Sequence, residues 1–114
     1  MTCFSDLTIN VYYNPPPGIF MFDHSIYKVK PSKAIKFVVN GKVANFKLRG
    51  LIYLADFHFT ARFVMSEGNI WYHDGKDRIA KTCIPDGHIK QIREDDYWQT
   101  CRGRSLVMSI YSKN

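Results

Sequence analysis

Short runs of β-branched and aromatic residues recur along the chain, and turns rich in Gly, Pro and Asn separate them. Apolar runs of this length, bounded by turn residues, predict β-strands. We expect six to seven strands and one short helix, the helix over 93–100 around Tyr97 and Trp98. Eight runs have strand-like composition, and six to seven strands are expected from them; the runs are 7–13, 19–22, 34–39, 42–48, 50–57, 58–65, 69–73 and 104–111.

Turn residues mark the connections. Asn40-Gly41 lies between two apolar runs and predicts a two-residue type I′ hairpin, because both central residues of that turn need positive φ. The three prolines of Asn-Pro-Pro-Pro-Gly at 14–18 cannot donate strand hydrogen bonds, so this segment is a connection. Pro-Asp-Gly-His at 85–88 also predicts a turn. The fold class is therefore mainly β (α+β at most), a single antiparallel sheet or half-barrel.

The composition is that of a globular protein, with 46% hydrophobic, 15% aromatic and 23% charged residues. At this length a chain buries roughly 65% of the surface that its unfolded form exposes. We expect one domain, 1–114, that folds without a metal, a disulfide or a cofactor.

Three cysteines, Cys3, Cys83 and Cys101, are widely spaced and odd in number, which favours free thiols over a disulfide framework. The first residues lack a basic segment followed by a long apolar run, and no stretch reaches the length of a membrane span. We expect an intracellular protein, cytoplasmic or nuclear, with no membrane association.

The net charge of +6 can favour anionic partners, but the basic residues are scattered, so a solvated surface is the simpler interpretation. Aromatic and basic residues alternate at Tyr27-Lys28-Val29-Lys30 and over 57–63 with Arg62, which leaves open a stacking platform for single-stranded nucleic acid. Packing in the core accounts for aromatic residues equally well. The aromatic residues expected in the core here are Phe59, Phe63 and Trp71.

Metal-ligand residue types occur in two groups. These are His73, Asp74 and Asp77, and Cys83, His88 and Cys101. Neither group has the Cys-x-x-Cys or His-x-x-x-His spacing of a zinc site, so we expect ordinary polar residues and no metal.

A predicted hairpin brings a histidine and an aspartate together. His58 begins one strand, Asp74 ends the next, and the turn between them lies at 66–69. A catalytic histidine needs a carboxylate or amide that fixes its tautomer, and a nucleophile within reach of its other nitrogen. The pair supplies two of these three groups, although a His-Asp pair on neighbouring strands is also a common cross-strand hydrogen bond.

The same strands resemble a known family. The motifs are Leu48-Arg-Gly-Leu-Ile-Tyr-Leu, His58-Phe-Thr-Ala-Arg-Phe-Val and Gly68-Asn-Ile-Trp-Tyr-His-Asp, with Pro17-Gly-Ile-Phe-Met-Phe and Ser105-Leu-Val-Met-Ser-Ile-Tyr on either side. Together they resemble the C-terminal half of the ubiquitin-specific proteases, in the papain-like class of cysteine peptidases. That family has a Gly-His-Tyr-x-Ala strand followed by a Trp-Tyr-x-Phe-Asp-Asp strand.

The resemblance implies that His58 stands where the general base stands and Asp74 where its orienting acid stands. Phe57 replaces the glycine before the histidine, the loop before His58 is reduced to 55–57, and nothing matches the helix that presents the cysteine. The expected function is a catalytically incompetent binding module for a protein partner, either ubiquitin-like or an extended peptide. Complementation by a second copy or another chain would give an oligomer.

Two alternatives stay open. A small active cysteine hydrolase would use Cys3, His58 and Asp74, although the strand-like sequence after Cys3 supplies no helix to lower the pKa of its thiol. A basic β-domain that binds nucleic acid would bind with steeply salt-dependent affinity.

Overall fold

In the computed structural model, the described residues are 8–11, 18–25, 29–39, 41–74 and 83–113. They form a single sheet of nine strands and two short 3-10 helices, which confirms a mainly β fold. The strands are β1 (Thr8–Val11), β2 (Ile19–Asp23), β3 (Ala34–Val39), β4 (Lys42–Ala55), β5 (His58–Val64), β6 (Asn69–Asp74), β7 (Ile84–His88), β8 (Thr100–Cys101) and β9 (Arg104–Ser112). The 3-10 helices are Ile89–Gln91 and Asp95–Gln99.

The sheet is built on both edges of β4, its longest strand. Lys47 pairs with β3 on one side and β9 on the other, while Gly50 pairs with β5 and β9. One edge of β4 therefore carries β9, and β3 and β5 share the other edge. Pairing is antiparallel except between β1 and β3, which run parallel.

The sheet curls enough for its two sides to pack together. β2 lies beyond β9 and β3 lies on the far edge of β4, yet the rings of Phe20 and Phe37 stack with centroids 4.0 Å apart. The register between β4 and β9 shifts twice, between Leu48 and Gly50 and between Ile52 and Tyr53, and such irregularities increase the local twist of a sheet. Of the two forms that the sequence leaves open, the structure has the single open sheet.

The core lies on the inner face of the sheet, which we define as the face that carries Tyr53 of β4. Trp98, from the second 3-10 helix, is fully buried against this face, and its carbonyl accepts a hydrogen bond of 2.8 Å from the Tyr53 hydroxyl. The buried apolar cluster consists of Ile35, Phe37, Phe46, Leu48, Leu51, Tyr53, Val64, Ile70, Tyr72, Trp98, Cys101, Leu106 and Tyr111.

The predicted hairpin between β3 and β4 is confirmed, with Val39 paired to Lys42 and Gly41 at φ 80°. The short helix predicted over 93–100 is the 3-10 helix at 95–99. The turn predicted at 85–88 is wrong, because these residues form β7 and pair with β6 through an irregular register. Most of the predicted connection at 14–18 lies outside the described residues.

The polarity of β5 is the reverse of what the sequence predicts. Thr60 and Arg62 point to the inner face and are buried, whereas Phe59 and Phe63 lie on the opposite, outer face with 57% and 39% of their surface exposed. Placing Phe59 and Phe63 in the core was therefore wrong, and Trp71 is only half-buried. The sheet carries apolar side chains on both faces.

Candidate functional site

Strand register brings His58 and Asp74 together at one end of the inner face. His58 is the first residue of β5 and follows a tight turn in which Asp56 and Phe57 have φ of 51° and 60°. Asp74 is the last residue of β6 and lies opposite Thr60 in the register. The His58 Nε2 atom is hydrogen-bonded to Asp74 Oδ1, so the structure joins the two residues that the sequence singles out.

The second ring nitrogen of His58 faces a cation. Arg104 Nη2 lies 3.3 Å from His58 Nδ1. A guanidinium can only donate hydrogen bonds, so Nδ1 is the acceptor and the ring proton sits on Nε2, where it is donated to Asp74. The side chains of His58 and Asp74 are 15% and 27% exposed, so the pair is sheltered but reachable from solvent.

Arg104 was missed by sequence reasoning. It begins β9 directly after a hairpin turn in which Arg102 and Gly103 have φ of 51° and 80°, and it pairs with Cys101 of β8. The Arg-Gly dipeptide is a detectable turn signal, but nothing in the sequence links position 104 to position 58.

Buried polar atoms without a partner lie close to this pair. Among the described residues, Thr60 Oγ1 and Arg104 Nε are buried and make no hydrogen bond. Thr60 is the register partner of Asp74, and Arg104 contacts the His58 ring. Such atoms are usually satisfied by water or a ligand, so the site has unused capacity for hydrogen bonding.

The cysteines do not complete a triad with His58 in the described part of the chain. Cys101 is buried, and burial raises the pKa of its thiol, which disfavours the nucleophilic thiolate. Cys83 is exposed, and neither Cys83 nor Cys101 is hydrogen-bonded to His58. Cys3 lies outside the described residues.

Arg62 is buried and serves the interior, so the prediction that it contributes to a surface stacking platform was wrong. It is only 7% exposed, and its guanidinium donates to the Asp86 carboxylate at 3.1 Å and to the Tyr53 hydroxyl at 3.1 Å. It also donates to the carbonyls of Tyr97 and Thr100. In the other predicted segment, 27–30, residues 27 and 28 lie outside the described residues, and Lys30 forms an ion pair with Asp96.

His88, one of the predicted metal-ligand types, serves the fold. His88 caps the first 3-10 helix by accepting from the Lys90 amide at 3.1 Å, and its Nε2 donates to the Glu67 carbonyl at 2.9 Å. Asp77 lies outside the described residues. Within the described ranges, no three His, Cys, Asp or Glu side chains cluster as metal ligands.

Comparisons with known proteins gave no relative: no family model, curated protein or solved structure matches this chain. Among the described residues, no helix has the length and apolar character needed to cross a membrane.

The imidazole of His58 is held by partners at both ring nitrogens, Asp74 at Nε2 and Arg104 at Nδ1. Asp74 fixes the tautomer in the way that a general base requires. A nucleophile would have to occupy the position at Nδ1 that the Arg104 guanidinium now holds.

Proposed function

We propose that this protein is a binding module that resembles the C-terminal half of a ubiquitin-specific protease and that does not catalyse hydrolysis. Its partner is a protein, either ubiquitin-like or an extended peptide. His58 and Asp74 keep the positions of base and acid in that resemblance.

One observation carries the proposal, the hydrogen bond between Arg104 Nη2 and His58 Nδ1. A general base must accept the proton of a nucleophile at this nitrogen, and a guanidinium has no proton to give up in proteins. The hydrogen bonds of His58 to Asp74 and Arg104 instead tie together the ends of β5, β6 and β9. The pair thus has a structural role here.

Labelling with ubiquitin that carries a C-terminal electrophile tests the lack of catalysis. We expect no covalent adduct on any cysteine that depends on His58, in the wild-type protein or in Arg102→Ala as a surface control. An adduct on Cys3 that disappears in His58→Ala would establish the active hydrolase instead.

Titration of unmodified ubiquitin into isotope-labelled protein tests the binding function. We expect saturable chemical-shift changes that persist in His58→Ala, because binding does not use the imidazole. Spectra that stay unchanged at millimolar ubiquitin would remove ubiquitin as the partner.

A further inference from the structure

The outer face of the sheet is apolar and open across five strands. One row of register partners runs from Met21 through Ile110, Gly50 and Phe63 to Trp71. Register partners on neighbouring strands lie on the same face, so these residues form one continuous surface. Met21 is 64% exposed and Phe63 is 39% exposed.

Further exposed apolar side chains extend this surface. The neighbouring positions add Ile19 at 61% and Phe59 at 57% exposure. Contiguous exposed apolar side chains of this kind mark interaction sites, whereas single exposed apolar residues do not. The polarity of β5 also indicates that the outer face is a contact surface, because its two phenylalanines face outward while a threonine and an arginine face inward.

A groove of about 680 Å³ lies at one end of this face, and we call it the outer groove. Phe63, Met65 and Trp71 supply its apolar walls, and Arg49 and Cys83 also line it. The groove lies on the face opposite His58, beside Phe63 and Val64 at the other end of β5.

Arg49 gives the outer groove a fixed positive charge. Its Nε donates to Ser112 Oγ at 3.4 Å and its Nη1 donates to the Met65 carbonyl at 3.3 Å. The Nη2 group has no acceptor, and the guanidinium has no acidic partner, among the described residues. Two of its donors are thus held in place while a third is available to an incoming anion.

Charge decides between the possible occupants. A second copy would bring another net charge of +6 against the first, together with its own Arg49. Like charges at an interface oppose association, whereas a partner with a carboxylate would satisfy Arg49 and steer its own approach. A partner with apolar side chains and negative charge therefore fits both features of the groove.

We propose that the outer groove is a docking site for a peptide segment that combines apolar side chains with a carboxylate, the carboxylate pairing with Arg49. The inference rests on the proposed function, since it names the chemistry of the partner that the binding module takes. A side-chain carboxylate or a C-terminal carboxylate meets this requirement.

Cys83 offers a direct test because it lines the outer groove and is exposed. The probes are mercaptopropionyl-Leu-Phe with a free carboxylate and the same compound as its carboxamide, each supplied as a disulfide with cysteamine. The Cys83 thiolate attacks the probe sulfur, the new disulfide forms, and cysteamine leaves as the thiol, with no net oxidation. The protein carries Cys3→Ser, and buried Cys101 serves as an internal negative control.

The measured quantity is the fraction of Cys83 that carries the probe at a fixed concentration of 2-mercaptoethanol. We expect the equilibrium constant for retention to be about 10-fold larger for the carboxylate probe than for the carboxamide, because one charged hydrogen bond contributes a factor of about that size. Arg49→Met should bring the two probes to equal retention, and Phe63→Ser should weaken both. The matched controls Lys42→Met and Phe57→Ser alter an exposed lysine and an exposed phenylalanine outside the groove and should change neither probe.

Equal retention of the two probes in the wild-type protein would overturn the inference. Stronger retention of a mercaptododecanoate of similar length would overturn the peptide as occupant in favour of a fatty acid. A concentration-dependent dimer in sedimentation, abolished by Phe63→Ser, would overturn it in favour of a second copy. These failures are distinguishable from a failure of the proposed function, which would appear as His58-dependent labelling by the electrophilic ubiquitin.

Discussion

Replacing Arg62 with methionine removes the charged centre of the interior and keeps a side chain of similar length. Arg62 is 7% exposed, and its guanidinium donates four hydrogen bonds, of which the one to Asp86 is an ion pair. Its loss removes the donor to the carbonyls of Tyr97 and Thr100. Asp86, which is mostly buried, then keeps only one of its two arginine partners, Arg102. Breaking a buried pair of this kind costs about 3 to 5 kcal/mol of unfolding free energy.

Arg102 is a matched control because it binds the same carboxylate. Its Nη2 atom lies 3.2 Å from Asp86 Oδ1, but its side chain is 49% exposed. An exposed ion pair contributes up to about 1 kcal/mol, and Arg102→Met also loses the stacking of its guanidinium on the Tyr72 ring. We expect a loss of about 1 kcal/mol for Arg102→Met and about three times that for Arg62→Met.

Urea denaturation followed by far-ultraviolet circular dichroism measures both variants. With the slope of unfolding unchanged, the midpoint should fall by more than 1 M urea for Arg62→Met, at a slope of about 1–3 kcal/mol per M. Equal losses in the two variants, or a loss below 1 kcal/mol for Arg62→Met, would show that the buried guanidinium network does not hold the 3-10 helices on the sheet.

Two further predictions concern a buried imidazole and a strained turn. His24 is buried and accepts a 2.7 Å hydrogen bond from Ser109, and burial lowers its pKa. Below about pH 6.5 the histidine of the unfolded chain therefore binds a proton that the folded protein does not bind, so the free energy of unfolding should fall as the pH is lowered. Urea midpoints at pH 7.5 and 5.5 should differ more for the wild type than for His24→Gln, and equal differences would contradict this role. At Gly68, φ is +96° and an added Cβ would lie 2.5 Å from His88 Cε1, so Gly68→Ala should cost about 2 to 3 kcal/mol. Gly41→Ala, at φ +80° in open space, should cost only about 1 kcal/mol in the same assay, and equal costs would mean that the contact with His88 relaxes.

Local sequence signals predict the hairpins well. Asn40-Gly41 specifies its turn chemically, and the spacing between His58 and Asp74 places them on neighbouring strands once the turn at 66–69 is recognised. Local sequence signals do not predict that Arg104 contacts His58. That contact depends on the pairing of β9 with β4, two strands that are far apart in the sequence.

The faces of β5 show a second limit of sequence reasoning. Alternation in His58-Phe-Thr-Ala-Arg-Phe-Val separates two sets of side chains but does not tell which set is covered. Hydrophobicity favours the phenylalanines as the buried set. The inner face instead accepts Arg62 because Asp86 and two carbonyls, 24 to 38 residues away, satisfy its charge and hydrogen bonds.

The central position of β9 has a consequence for synthesis of the chain. β9 is made after the other eight described strands, yet it pairs with β2, β4 and β8. Until it leaves the ribosome, β4 keeps an open edge and β2 lacks the strand that pairs with it, so earlier segments cannot complete the sheet. The complete sheet therefore forms only once β9 has left the ribosome, and until then the open edge of β4 is exposed to pairing with other chains.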